Sequence, residues 1–104
     1  MAFKTLFMAL APDAEQEKHR SFIDTGKYQL STVIVKNQAE AVSVAKEVYK
    51  KEGISTIMLC PGFTHADVAA LFQALNGKVG VTIARGDGPS SAIALPALQK
   101  AFGG

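Results

Sequence analysis

The sequence predicts an α/β fold: a small three-layer sandwich in which helices cover both faces of a four-stranded parallel sheet. Short, almost unbroken apolar runs at 3–10 and 54–60 are typical of strands covered on both faces. Helix-capping signals, each followed by apolar residues at helical spacing, separate such runs. Strands and helices that alternate over short linkers favour parallel pairing through right-handed crossovers.

Size and composition are those of an ordinary globular protein. The chain has 104 residues, of which 48% are hydrophobic and 19% charged, and we expect residues 1–104 to form a single domain. Lysine and arginine number 11 against 9 aspartate and glutamate, and the basic residues are scattered. Such a weak and dispersed charge excess argues against a nucleic-acid partner.

The cysteine count and the hydropathy pattern favour a cytoplasmic protein. Cys60 is the only cysteine, so an internal disulfide is impossible and a reducing compartment is expected. The apolar stretch 5–11 after Lys4 imitates a signal peptide but is shorter than the ~15 to 30 residues required. No run approaches the ~18 apolar residues of a membrane span, so no membrane partner is expected.

The first half of the chain predicts two strands around a short helix. Strand one, Phe3 to Leu10, is followed by Asp13, which with Gln16 forms a capping signal for a helix at 14–23. Gly26 would close that helix. Strand two, Tyr28 to Val35, alternates early and turns apolar late, which suits a position near a sheet edge.

The middle of the chain carries the clearest helix signals. Asn37 with Glu40 predicts a cap, and Gly53 predicts the end of that helix before strand three. Its apolar face consists of Ala41, Val42, Ala45, Val48 and Tyr49. Thr64 with Asp67 predicts another capping box, for a helix that ends at Asn76-Gly77.

Strand four, Val79 to Ala84, is followed by a glycine-rich loop and an apolar stretch containing Pro96. A proline inside a helix costs about 3 kcal/mol, so the last helix is predicted to start near Pro96, with a bent helix from Pro89 as the alternative. The predicted strand order is the flavodoxin-like 2-1-3-4. Strand four is then an edge without lysine or proline, which favours a homo-oligomer through that edge.

Ligands of parallel sheets bind outside the carboxyl ends of the strands, where the strand order reverses. The loops that follow strands one, three and four, at residues 11–13, 60–65 and 85–88, meet there, and we call them the strand-end loops. They supply eight candidate ligand-binding residues: Asp13, Gly62, Phe63, Thr64, Arg85, Gly86, Asp87 and Gly88.

Arg85 is the most suggestive of these candidates. It can bind an anionic ligand or form an ion pair with Asp87 or Asp13. The backbone N–H groups and the hydroxyl at Gly62 to Thr64 can hold a phosphate or carboxylate, although capping alone explains Thr64. Gly86 and Gly88 permit either a sharp turn or a close approach to a ligand.

Catalysis, metal binding and cofactor binding have weaker support in the sequence. Cys60 with His65 would make a thiolate nucleophile, but a cysteine that ends an apolar strand is more often a small buried hydrophobe. His19 lies among acidic residues without a metal-ligand spacing, so no metal is expected. No G-x-G-x-x-G or P-loop pattern is present, so no cofactor is expected.

Several short segments resemble a family of small bacterial proteins whose domain has no known function. They are Val35-Lys36-Asn37, the helix around Ala45-Lys46-Glu47, Leu59 to His65, and Arg85-Gly86-Asp87-Gly88. The resemblance implies an α/β fold and the same site, and it contributes no reaction.

Three functions remain open. The sequence favours binding of a small anionic metabolite at the strand-end loops. A small hydrolase, lyase or isomerase using Cys60 or His65 is the second hypothesis, and a structural or interaction subunit without a ligand is the third.

Overall fold

The computed structural model describes residues 1–103, which form five strands and three helices. In chain order these are β1 (Phe3–Leu10), β2 (Arg20–Asp24), β3 (Tyr28–Val35), α1 (Gln38–Glu52), β4 (Thr56–Leu59), α2 (His65–Ala74), β5 (Gly80–Ile83) and α3 (Gly88–Gly103). The strands form one mixed sheet in the order β2-β3-β1-β4-β5. Only β2 is antiparallel to its neighbour.

The α/β class is confirmed, but the four-stranded parallel sheet of flavodoxin-like order is wrong. The segment predicted as a helix at 14–23 instead contains β2. Gly26 turns a hairpin here: its N–H donates to the Asp24 carboxylate at 2.7 Å, and its φ is +101°. The Thr25 N–H donates to the Tyr28 carbonyl at 3.0 Å. Because the turn closes a hairpin, the residues before it are extended and pair with β3.

The three-layer sandwich is also wrong, because α1 and α2 lie on the same face of the sheet. The crossovers from β3 to β4 and from β4 to β5 step in one direction across the sheet, and right-handed crossovers of one direction share a face. The step from β1 to β3 runs the opposite way and would place a helix on the other face. The chain fills that step with β2, so this helix is missing from the architecture.

The core lies between the sheet and the two helices. Alternate residues of β1, β3 and β4 point into it, and α1 contributes a continuous small-residue face. Phe63, in the loop after β4, is its largest fully buried side chain at 1% exposed. The other buried members include Leu6, Met8, Val33, Val35, Ala41, Val44, Ala45, Ile57, Leu59, Leu71 and Val79.

The predicted helix caps of α1 and α2 are confirmed. The Asn37 side chain accepts a hydrogen bond from the Glu40 N–H at 2.9 Å, and Gly53 ends α1 with a φ of +70°. Thr64 and Asp67 form a complete capping box, since each side chain accepts from the other residue's N–H, at 3.1 and 2.8 Å. These local bonds satisfy N–H groups that the first helical turn leaves without partners.

The predicted start of the last helix near Pro96 is wrong, and the alternative of a helix from the Pro89 end describes α3 better. Asp87 starts the helix upstream, because its carbonyl accepts from the Ser91 N–H at 2.7 Å and its carboxylate from the Ser90 N–H at 3.3 Å. Within residues 1–103, α3 packs on no other helix or strand, and all its residues are exposed. No helix of these residues is long and apolar enough to cross a membrane.

Candidate functional site

The strand-end loops after β4 and β5 start from the same edge of the sheet. The Cys60 N–H donates to the Met8 carbonyl at 3.0 Å, and the Ala84 N–H donates to the Leu59 carbonyl at 2.9 Å. Sheet pairing therefore continues one residue beyond each strand. The two loops then join directly, because Nη1 of Arg85 donates to the Phe63 carbonyl at 3.4 Å. The buried Phe63 ring anchors that carbonyl.

Arg85 is an exposed cation that no carboxylate pairs with in the described part of the chain. The ion pairs among residues 1–103 are Lys18 with Glu15 at 3.8 Å and Arg20 with Glu47 at 3.5 Å. The alternative of an ion pair with Asp87 or Asp13 is therefore not seen. The Asp87 carboxylate caps α3 instead.

Among the other predicted ligand-binding residues, Gly62 and Thr64 have structural roles, whereas Gly88 has open space around it. The Thr64 hydroxyl caps α2. A Cβ added at Gly62 would lie 3.2 Å from the Leu10 side chain, so a close packing contact explains this glycine. A Cβ at Gly86 would meet the Ser91 hydroxyl, whereas Gly88 has open space around it. Neither Gly86 nor Gly88 adopts the left-handed backbone that would require glycine.

Cys60 and His65 lie at the two ends of the loop between β4 and α2. The Cys60 thiol is free and half-buried, and a Cβ added at Gly62 would lie 3.6 Å from its Sγ. His65 is the exposed first residue of α2. Within residues 1–103, no hydrogen bond links the imidazole to the thiol. The loop thus lacks the hydrogen-bonded pair of nucleophile and base by which such sites are recognised.

His19 serves the turn that precedes β2. Its Nδ1 accepts a hydrogen bond from the Glu15 N–H at 3.0 Å, while the Glu15 carboxylate pairs with Lys18. No group of three or more potential metal ligands occurs among residues 1–103. Cavities of about 320, 490 and 500 Å³ lie beside this turn, β2 and α1, and none of the three is lined by the strand-end loops after β4 and β5.

A second candidate surface, which the sequence reasoning missed, is the sheet face opposite α1 and α2. Successive residues of a strand point to opposite faces, so the neighbours of the core residues Leu6 and Met8 point away from the helices. We call this surface the open face. Its side chains, assigned by this alternation and by the strand register, are those of Phe3, Thr5, Phe7, Ala9, Ser21, Ile23, Tyr28, Leu30, Thr32, Ile34, Thr56, Met58 and Thr82, with Gly80.

The open face carries no charged side chain, and its side chains are mostly apolar or aromatic, with serine and threonine hydroxyls among them. The rings of Phe3 and Tyr28 stack on it with centroids 6.0 Å apart, and both rings are exposed. Near its centre, Thr5 is 5% exposed, and its hydroxyl has no hydrogen-bond partner among residues 1–103. Contiguous exposed apolar surface on a monomer marks an interaction site. A signal for it exists in the sequence, since strand one is apolar on both of its faces.

Comparisons with known proteins identify a family without giving a function. Residues 3–95 match the model of a family of unknown function (DUF6506). This confirms the resemblance to a small domain of unknown function that the sequence suggested. No curated protein and no solved structure matches the chain.

Proposed function

We propose that this chain, which belongs to the family of unknown function (DUF6506), acts as a self-associating interaction subunit whose open face is covered by a second protein chain. One observation carries the proposal: the sheet has a helical layer on one face and an uncharged, mostly apolar surface on the other. Burial of apolar surface is favourable by roughly 25 cal/mol per Å², so covering this face drives association. We therefore favour an interaction subunit, the third function left open by the sequence, over binding of a small anionic metabolite, the first.

The proposal keeps the expected homo-oligomer but changes its contact surface. β5 is an edge strand, as the sequence predicted, and its four residues contain neither lysine nor proline. So short an edge offers a partner only a few backbone hydrogen bonds. The open face extends over all five strands, including both eight-residue strands, and offers far more apolar area. We therefore place the principal contact on the face.

Met58→Lys is expected to weaken this association by at least about tenfold, because it places a charge in the middle of an apolar contact. Phe72→Lys is the matched control: both side chains are 45% exposed, but Phe72 lies on α2, in the helical layer. Sedimentation velocity at several protein concentrations measures the effect. A wild-type protein that stays monomeric at all of them, or an equal effect of the two substitutions, contradicts the proposal.

A second candidate function, binding of a small anionic metabolite, is supported by Arg85. Its guanidinium is exposed between two loops and pairs with no carboxylate of residues 1–103. Nearby acidic groups are occupied, since Asp67 and Asp87 cap helices. The start of α2 adds the positive end of a helix dipole at the same edge of the sheet. A phosphate or carboxylate is the ligand class that fits this arrangement.

Arg85→Ala is expected to abolish any rise in melting temperature that a phosphate or carboxylate compound produces. A panel of such compounds, compared with sodium chloride at equal ionic strength, separates a specific site from general screening. Arg20→Ala is the control, because Arg20 is an arginine already paired with Glu47. The second function fails if no compound in the panel raises the melting temperature, or if both substitutions act alike.

The enzyme hypothesis rests on Cys60 or His65 and makes a prediction of its own. A half-buried thiol without a hydrogen-bonded base is expected to react slowly with iodoacetamide at neutral pH. The same protein unfolded in urea supplies the reference rate. Reaction of the folded protein faster than this reference would restore Cys60 as a nucleophile.

A reducing compartment such as the cytoplasm fits a lone free cysteine and remains part of the proposal.

A further inference from the structure

We infer that the occupant of the open face is α3 of a second copy, and that the second copy receives α3 of the first in return. The inference rests on the proposed function and names the element that fills the contact. The chain leaves two surfaces uncovered at once, an apolar sheet face and an apolar helix, and each has the chemistry that the other requires.

The composition of α3 is that of a buried helix. Among Gly88–Gly103 the only charged side chain is that of Lys100. Leu95, Leu98 and Phe102 follow one another at helical spacing on one side, and all three are about half exposed. Ile93, 80% exposed, lies toward the other margin. At ~100° per residue, the apolar side chains span roughly 200° of the helix circumference. A surface helix ordinarily buries a narrower stripe.

The dimensions of the two surfaces agree. At ~1.5 Å per residue, the 16 residues of α3 span about 24 Å. At ~3.3 Å per residue, the eight residues of β1 or β3 span about 26 Å. A helix laid along the central strands therefore covers their whole length. With a helix width of about 10 Å, a reciprocal pair buries four surfaces that total on the order of 1,000 Å², which is about the minimum for a biological interface and typical of a weak dimer.

The linker before α3 favours a second copy over the helix's own sheet. Its first end is fixed, because Ala84 still pairs with Leu59 and Arg85 is bonded to the Phe63 carbonyl. Its other end is fixed where Asp87 caps α3. Only Gly86 lies between them. This connection directs α3 away from the body, and the described chain is 41 Å long but 27 and 26 Å in its other dimensions.

The apolar side of α3 is wide, and this width also favours a second copy over the helix's own sheet. A helix folded back onto its own sheet would bury the side of Leu95, Leu98 and Phe102 and leave Ile93 in water. In the proposed two-fold pair each helix would lie on the partner's open face with its own body on the other side, and we expect this arrangement to cover both margins of the apolar side. The second copy therefore accounts for more of the exposed apolar surface.

A mixing experiment with full-length variants tests the exchange. Met58→Lys damages the open face and Leu98→Lys damages the helix, so each variant alone carries a lesion in both contacts of the dimer. In a mixed dimer both lesions fall in one contact, and the wild-type helix of the first variant meets the wild-type face of the second. We expect the mixture to dimerise at a concentration at least about tenfold lower than either variant alone. Native mass spectrometry separates the three dimers by mass.

Control substitutions distinguish the loss of a contact in the dimer from a failure to fold. Gln99→Lys adds the same charge to the polar side of α3 and is expected to leave the dimer intact. Ile23→Lys provides a second lesion in the open face at a side chain that is 56% exposed. Its control, Phe22→Lys, lies next to it in β2, is 53% exposed and points to the opposite face. Circular dichroism verifies that each variant is folded.

The outcomes separate the exchange from the proposed function. If Met58→Lys dissociates the wild-type dimer and Leu98→Lys does not, the faces pair directly; self-association stands and the exchange is overturned. A dimer that both lesions dissociate, but that the mixture does not restore, also overturns the exchange. A monomeric wild-type protein overturns both. Restoration in the mixture, with Gln99→Lys still dimeric, supports both.

Discussion

Phe63→Ala is expected to lower the free energy of unfolding by about 3–5 kcal/mol, the range for removing a buried phenylalanine ring. The ring is 1% exposed and belongs to the core between the sheet and the two helices. Its removal leaves a cavity where the loop after β4 is anchored, and this loop also holds the carbonyl that Arg85 contacts. Urea unfolding followed by circular dichroism measures the loss.

Phe72→Ala is the control for this prediction. The residue type is the same, but the Phe72 ring is 45% exposed on the outer side of α2. Since less surface is removed from water there, we expect a loss below about 1.5 kcal/mol. Similar losses for the two variants would show that Phe63 does not carry the packing of the loop. Both variants should be compared at one protein concentration, because self-association adds to apparent stability.

Pro96→Ala is expected to stabilise α3 by up to about 3 kcal/mol, the difference between proline and alanine in a helix interior. Pro96 lies inside α3, where it removes one backbone hydrogen bond and crowds the preceding turn. With 16 residues, α3 is only slightly longer than the ~12–15 residues below which isolated helices are marginal in water, so proline has a large effect on its helix content. Helix content at high dilution should therefore rise in the variant, and amide hydrogen exchange in α3 should slow.

Pro89→Ala is the control within the same helix. Pro89 lies in the first turn, where its missing N–H would have no helical partner. We expect little change in helix content from this substitution. If the exchange of α3 is correct, Pro96→Ala also strengthens the dimer, since less free energy is then spent in ordering the helix. Equal effects of the two substitutions would contradict the account of Pro96.

Elements with local signals could be predicted from the sequence. The helix starting after Asn37 and ending at Gly53 was predicted from residues that contact each other within one turn. The capping box of Thr64 and Asp67 is equally local. β1 is predicted by an apolar run, and β3 by a segment that alternates early and turns apolar late; each pattern lies within eight residues. In each of these signals the residues involved lie within one short segment, so the element can be predicted without knowing the rest of the chain.

β2 was missed because its local signals are ambiguous. All five of its residues are exposed, so no pattern of burial distinguishes a strand from a helix there. Asp13 and Gln16 resembled a helix cap, and Gly26 resembled a helix end. In fact Gly26 forms a hairpin turn with Asp24 and Tyr28 close by, and the strand exists because β3 offers it an edge.

The candidate sites depended on information that no segment holds by itself. The position of Arg85 at the end of a strand could be predicted from chain order, but its contact with Phe63 joins residues 22 positions apart. The apolar strand one is a signal for the open face, but the helix predicted at 14–23 was expected to cover that face, and the segment forms β2 instead. A strand that is apolar on both sides indicates that both faces of the sheet are covered. The direction of the crossovers determines which face the helices cover.

The position of β1 also determines how the chain must assemble as it is made. β1 precedes both of its neighbours in the chain, and these are completed only at Val35 and Leu59. The hairpin of β2 and β3 closes over a short turn and offers the first partner edge. At ~5–20 residues per second, synthesis from Leu10 to Leu59 takes about 2 to 10 seconds, and β3 is available to pair with β1 only for the last ~1 to 5 of them. Until Leu59 is made, the apolar β1 has at most one paired edge, so we expect the nascent chain to be most prone to aggregation before β4 is complete.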